Sequence, residues 1–276
     1  MFEKLVAVDP IGMNDEGERR LQDLAKEVVM FRDVPPDEAE TLRRIDDADA
    51  LLVSFRTPIR RNVLERCPNL RYVGMCCSLY SEDSANVDIA AARERGIVVK
   101  GIRDYGDNGV VEYCIYELVR LLHGFGAYQW KEQPHELTGE KVGIIGMGTT
   151  GAMVGKALQY LGAEVSYYSR TRKPEIEASG IAYRPLHALL HHCDILSAHL
   201  NKNVILLHEE EFAVMGHGKI LMNTAIGPCF DEAPFLAWMQ HGDNYYLCDA
   251  TAIPDNQAYM RQIPRVLCAN KGSGAS

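Results

Sequence analysis

"KVGIIGMGTTGAMVGKALQYLGAEVSYYSRTRK", residues 141 to 173, decides the fold of the second half of this chain. A β-rich run stops at Gly146. Gly146, Gly148 and Gly151 then give a GxGxxG spacing, and Val154, Leu158 and Leu161 recur on one helical face before a second β-rich run near Val165. The spacing alone is a weak signal, but a strand before it and a helix and strand after it supply the βαβ context in which it binds dinucleotides. Gly146 makes the tight turn, Gly148 lets backbone approach a pyrophosphate, and Gly151 lets helix and strand pack closely. The N–H groups and positive dipole of the helix start, around Thr149, Thr150, Gly151 and Ala152, are placed to hold phosphates.

The end of the second strand sets the adenosine side. An NAD site usually presents Asp or Glu to the ribose hydroxyls, whereas an NADP site must accommodate a 2′-phosphate. This chain has Ser169, Arg170, Thr171, Arg172 and Lys173, with no carboxylate. Hydroxyls and planar, bidentate guanidinium groups suit a phosphate, which favours NADP(H) over NAD(H). The bland alternative is an ordinary solvated basic loop.

Working outward, strand patterns at "EVSYYS", "DILSAHL", "KILMNTA" and "YYLCDA" alternate with helical ones, which implies a parallel Rossmann sheet. The first hundred residues show the same rhythm: "KLVAV", a charged helical pattern "EGERRLQDLAKEV", then "ALLVSF", "RRNVLERC", "LRYVGMCC", "VDIAAARERG" and "IVVKGI". Val110, Cys114, Leu118, Leu121 and Leu122 mark a long connecting helix. The expected fold class is therefore α/β. One doubly wound α/β lobe spans residues 1–103, and a second, the dinucleotide-binding Rossmann domain with its connecting helix, spans 104–276. Ligands of open α/β sheets bind at the carboxyl ends of the strands, so His199, Thr224, Ala225 and Asp249 are expected near the cofactor.

The 276 residues carry a net charge of -9 and a pI near 5.5, which argues against nucleic acid or an anionic membrane as the main partner. No apolar run is long enough to span a bilayer, and "MFEKLVAVDP" lacks a signal peptide's order, so a cytoplasmic location is expected. The eight cysteines form no CxxC pair and no zinc-like spacing; reduced core thiols and no metal follow. Cys76 and Cys77, as strand neighbours, should point to opposite faces. The acidic run Glu209 to Glu211 opens a helix and reads as structural.

These motifs, together with "ELTGEKVGIIGMGTTG", "LHALLHHCDILSAHL", "EEEFAVMGHGKILMNTAIGPCFDEAPFLAWMQHG" and "YYLCDA", resemble the D-isomer-specific 2-hydroxyacid dehydrogenase family. "VLERCPNLRYVGMCCS" and "NVDIAAARERGIVV" resemble its substrate domain more loosely. The resemblance implies a flavodoxin-like lobe and a Rossmann lobe with the active site in the cleft between them, a small-molecule substrate, and a homodimer through the Rossmann domain. It also implies a catalytic Arg, Glu and His. The family's "NTARG" is "NTAIG" in this chain, placing Ile226 at the Arg. "ATAIPDN" offers proline near the expected Glu, and "ANKGSG" puts Lys271 at the His. The family's substrate-lobe glycine loop is replaced by the longer "CCSLYSEDSANVD". Family members run on into a helix that returns to the first lobe, whereas this sequence stops at Ser276.

Two functions fit. One is an NADP(H)-dependent dehydrogenase or reductase in which Lys271 exchanges the proton, a task open to a lysine whose pKa falls from about 10.4. Ile226 then implies an uncharged carbonyl, or carboxylate binding by Arg56 or Arg103. The other is a catalytically inactive NADP(H)-binding sensor or regulatory protein, with Lys271 a solvated tail residue.

Overall fold

The computed structural model describes residues 1–79, 81–103, 106–202 and 204–274. The chain forms two compact units, Met1–Asp104 and Tyr105–Ser276. Asp104, where the second domain is expected to begin, lies outside the described residues.

The first unit runs β1 (Phe2–Ala7), α1 (Asp15–Leu21), β2 (Ala25–Met30), α2 (Glu38–Ile45), β3 (Ala50–Val53), α3 (Arg61–Glu65), β4 (Tyr72–Ser78), α4 (Ile89–Glu94) and β5 (Val98–Ile102). Its strands pair in parallel in the order β2-β1-β3-β4-β5, the flavodoxin-like arrangement. The helical reading of "EGERRLQDLAKEV" is corrected. The helix stops at Leu21, and Ala25–Met30 is an edge strand paired with β1, its Lys26 and Glu27 facing water. Charged residues are tolerated on an edge strand, where they also discourage further pairing. Cys76 and Cys77 do lie on opposite faces of β4, each packed in a different apolar cluster.

The second unit begins with α5 (Asp107–Leu122). It continues through β6 (Lys141–Ile145), α6 (Thr149–Tyr160), β7 (Glu164–Tyr168), α7 (Pro174–Glu177), β8 (Ala182–Tyr183), α8 (Leu186–His192) and β9 (Ile195–Ala198). It ends with α9 (Glu209–Met215), β10 (Ile220–Asn223), α10 (Glu232–Met239), β11 (Tyr245–Cys248), a 3-10 segment at Asp255–Gln262 and β12 (Val266–Cys268). All its strand pairs are parallel, in the order β12-β11-β10-β9-β6-β7-β8. Strand order reverses at β6 and β9, so that is the switch point where a doubly wound sheet opens a ligand crevice.

Each face of this sheet buries its own cluster. Cys114, Leu118, Leu121 and Leu122 of α5 and Val154 and Leu158 of α6 cover one side. Leu189, Leu190, Phe212, Phe235 and Trp238 of α8, α9 and α10 cover the other. A parallel sheet with apolar contact on both faces needs near-continuous apolar strands, and β9, β10 and β11 are buried along their whole length. Lys219, 8% exposed, is the exception that proves structural: its ammonium donates to the carbonyls of Leu190 at 2.9 Å and Cys193 at 2.6 Å, closing the end of α8.

Candidate dinucleotide site

The three glycines occupy three physically different positions. Gly146 has φ +98°, and a Cβ there would meet the His199 carbonyl oxygen at 2.4 Å. At Gly151 a Cβ would lie 2.0 Å from the Gly146 carbonyl oxygen, so helix and strand are in contact at that point. At Gly148 a Cβ meets nothing within 4 Å. Gly148 is also the N-cap of α6, and no side chain caps that helix. The leading N–H groups therefore have no side-chain partner, which fits a pyrophosphate. Thr149 and Thr150 open the helix, but the Thr150 hydroxyl is donated to the Asp107 carboxylate at the start of α5.

From this turn the carboxyl edge of the sheet can be followed strand by strand. The Gly146 N–H donates to Tyr168 at 2.9 Å, setting the end of β7 beside the turn. Beyond it, Ser169 is half-buried while Arg170 and Thr171 are exposed. Arg170 makes no ion pair or hydrogen bond among the described residues, whereas Arg172 is paired with Glu177 and lies over the Tyr183 ring at 5.1 Å. The basic loop thus divides: Arg170 has no polar partner among the described residues, and Arg172 is held by Glu177.

On the other side of β6, His199 follows β9. Its Nε2 is 2.9 Å from the Ser197 hydroxyl and its Nδ1 is 3.2 Å from the Thr224 hydroxyl, just past β10. Burial without a charged partner pushes the imidazole down to about 4. In the unfolded chain it should titrate near about 6.5. Unfolding therefore takes up a proton between those values, and stability should fall as pH drops from about 6.5 to about 4. Imidazole NMR on the native protein checks this; a His199 midpoint near 6.5 would sink it.

Ala225 is buried and its N–H donates to the Asn223 side chain at 2.9 Å, which holds the loop after β10. Ile226, at the position of the family's Arg, is half-buried in the same loop. Asp249, past β11, is 2% exposed. One carboxylate oxygen accepts from the Thr251 N–H and hydroxyl at 2.9 and 2.6 Å, and the other from the Ser273 N–H and hydroxyl at 2.7 and 2.6 Å. Ser273 carried no sequence signal, because its partner is distant along the chain. The Lys271 carbonyl accepts from Ala250 at 3.2 Å, while the Lys271 side chain is exposed and makes no polar contact among the described residues. The Tyr113 hydroxyl, on α5, is buried without a hydrogen-bond partner among the described residues and was likewise missed.

Residues 118–268 match the D-isomer specific 2-hydroxyacid dehydrogenase, NAD binding domain. A hydroxypyruvate reductase of Blautia hydrogenotrophica is 30% identical over 260 residues, covering 87% of this chain and 79% of that protein. The chain belongs to the D-isomer-specific 2-hydroxyacid dehydrogenase family. Membership makes it an NAD(P)-dependent oxidoreductase by class. A glyoxylate reductase of Pyrococcus furiosus is 28% identical over 232 residues, covering 76% of this chain and 67% of that protein. The structure of D-lactate dehydrogenase from Escherichia coli superposes with a TM-score of 0.76 at 20% identity, over 99% of this chain and 90% of that one, which bears on the fold.

In the first unit, Arg56 and Arg103 are both exposed. Arg56 stacks its guanidinium over Phe55 at 4.7 Å in a loop fixed by buried Asp9, which accepts from the Ser54 N–H at 2.8 Å and the Thr57 hydroxyl at 2.7 Å. Arg103 donates to the Leu79 carbonyl at 2.8 Å. Glu209 to Glu211 open α9 as read, with Glu211 accepting from the His208 N–H at 3.0 Å. No described helix is long and apolar enough to cross a membrane.

Proposed function

We propose that this chain is an NADP(H)-dependent oxidoreductase acting on a small hydroxy or oxo compound, with Lys271 as the proton carrier. The cofactor, when bound, supplies or accepts the hydride. Gly146, Gly148 and Gly151 shape the phosphate turn, and the N–H groups at Thr149, Thr150 and Gly151 meet the pyrophosphate. Ser169, Arg170 and Thr171 hold the 2′-phosphate, and Arg172 neutralises Glu177 so that no free carboxylate faces that phosphate. His199 stays neutral and orients Thr224. Asp249 anchors the loop that presents the Lys271 ammonium, which holds the proton for the substrate oxygen.

The observation that carries the cofactor reading is the uncapped α6 start beside an unpaired Arg170. Arg170→Ala should weaken NADPH about 10- to 100-fold, the worth of a charge-assisted hydrogen bond, and leave NADH within about twofold. Fluorescence titration with both cofactors tests it. Tighter NADH than NADPH binding in the wild type would refute the phosphate assignment.

Hydroxypyruvate and glyoxylate, named for the two relatives, are the substrates to try first. A cytoplasmic homodimer completes the proposal. Eight free cysteines suit a reducing compartment, and Tyr116, Phe125 and Tyr160 leave apolar surface exposed on α5, on the turn after it and on α6.

A further inference from the structure

Cys248 ends β11 and Cys268 ends β12, and the two are register partners in adjacent parallel strands. Register partners project from the same face of a sheet, with neighbouring strands about 5 Å apart. The two side chains therefore lie side by side, but their surroundings differ. Cys248 is fully buried in the apolar cluster under α9 and α10. Cys268 is half-buried at the rim, its sulfur 3.5 Å from the carbonyl oxygens of Asp249 and Ala269.

The charged and titratable groups facing Cys268 are Cys248 and Tyr246 on β11, Asp249 just past it, and Arg261 from the 3-10 segment. The Arg261 guanidinium is fixed by the Ile253 carbonyl at 3.0 Å. The neighbouring Cys248 thiol and the Arg261 charge hold the Cys268 thiol below its ordinary value, against burial and the Asp249 carboxylate. Burial pushes Cys76 up to about 11, and Cys114, Cys193 and Cys229 up to about 12. A half-buried thiol of lowered pKa with a second thiol as its register partner is the arrangement of a resolvable cysteine pair, unlike an isolated core thiol.

We propose that Cys268 and Cys248 form an oxidation site for hydroperoxides, with Cys268 the attacking sulfur and Cys248 the resolving one. The Cys268 thiolate attacks a peroxide oxygen; the S–O bond forms, the O–O bond breaks, and the leaving alkoxide or hydroxide takes a proton from water. Sulfur is oxidised by two electrons and the peroxide is reduced. The Cys248 sulfur then attacks the sulfenic sulfur, the S–S bond forms, the S–O bond breaks, and water leaves with the Cys248 proton. The balance is two thiols and one hydroperoxide giving one disulfide, one alcohol or water, and one further water. The new bond would tie β11 to β12 beside Asp249 and the loop of Lys271.

The full chain is treated with hydrogen peroxide and digested for mass spectrometry, with dimedone as the sulfenic acid trap. The wild type should give a cross-linked Cys248–Cys268 peptide pair. Cys248→Ser should give a dimedone adduct at Cys268 in its place, and Cys268→Ser should give neither. Independently of any variant, iodoacetamide at pH 7 should alkylate Cys268 at least about tenfold faster than any other cysteine, because it is more exposed than the core thiols and its pKa is lowered where theirs are raised. A first adduct or cross-link at another cysteine, or alkylation of Cys268 that rises only above about pH 9, would overturn the proposal.

Discussion

Replacing Gly151 with alanine should weaken dinucleotide binding by at least about a hundredfold, the scale of roughly 3 kcal/mol of overpacking. The added Cβ meets the Gly146 carbonyl oxygen at 2.0 Å and Ile144 Cγ2 at 3.3 Å. The first of these is backbone, so no rotamer relieves it. Gly146 cannot yield either, because its carbonyl belongs to a turn with φ +98° already packed on His199. The start of α6 must therefore move away from β6 and carry its leading N–H groups with it. Two companion variants separate packing from ligand contact. Gly155→Ala meets nothing closer than 3.5 Å and should bind as the wild type does. Gly148→Ala should fold normally, having φ -82° and open space around it, yet bind poorly because its methyl occupies the phosphate approach. Titration calorimetry with a thermal melt on each protein reads both effects, and wild-type affinity in Gly151→Ala would refute the close-packing argument.

Lys271→Met should lower kcat by on the order of 10²- to 10⁴-fold while NADPH affinity stays within about twofold, the signature of a lost proton carrier. The argument is that the chain around Lys271 is fixed while its side chain is free. Two backbone and side-chain donors from Ser273 hold the Asp249 carboxylate, Thr251 supplies two more, and Ala250 donates to the Lys271 carbonyl. Lys271→Arg should be nearly as slow as Lys271→Met, since a guanidinium keeps the charge but does not give up its proton. Single-turnover kinetics with hydroxypyruvate or glyoxylate makes the measurement. Equal turnover in wild type and Lys271→Met removes the lysine from the chemistry.

The parts of the site that were legible in the sequence are those fixed by local chain geometry. Glycine spacing, helical periodicity and strand alternation place Gly146, Gly148 and Gly151 at a βα turn, and the structure has them there, between β6 and α6. What escaped the sequence depends on partners far along the chain. Arg170 and Arg172 read alike as letters, but Glu177 takes only the second. Asp249 reads as a cofactor contact, yet its carboxylate is engaged by Ser273. In the first unit, "DLAKEV" has helical composition, and pairing with β1 overrides that propensity to make an edge strand. Cys248 and Cys268 look like two unrelated core thiols until the β11 and β12 register sets them side by side.

The all-parallel sheet of the second unit also bears on how the protein reaches its native state. No two described strands in it are joined by a hairpin, and the central pairing, Val142 with Ile195, waits on the whole crossover between them. Such non-local closure is slow, because loop entropy is lost before contacts repay it. The switch point at Gly146 and His199 therefore exists only once that closure is complete. A dinucleotide binding there would act late on the folding route, slowing unfolding more than it speeds folding.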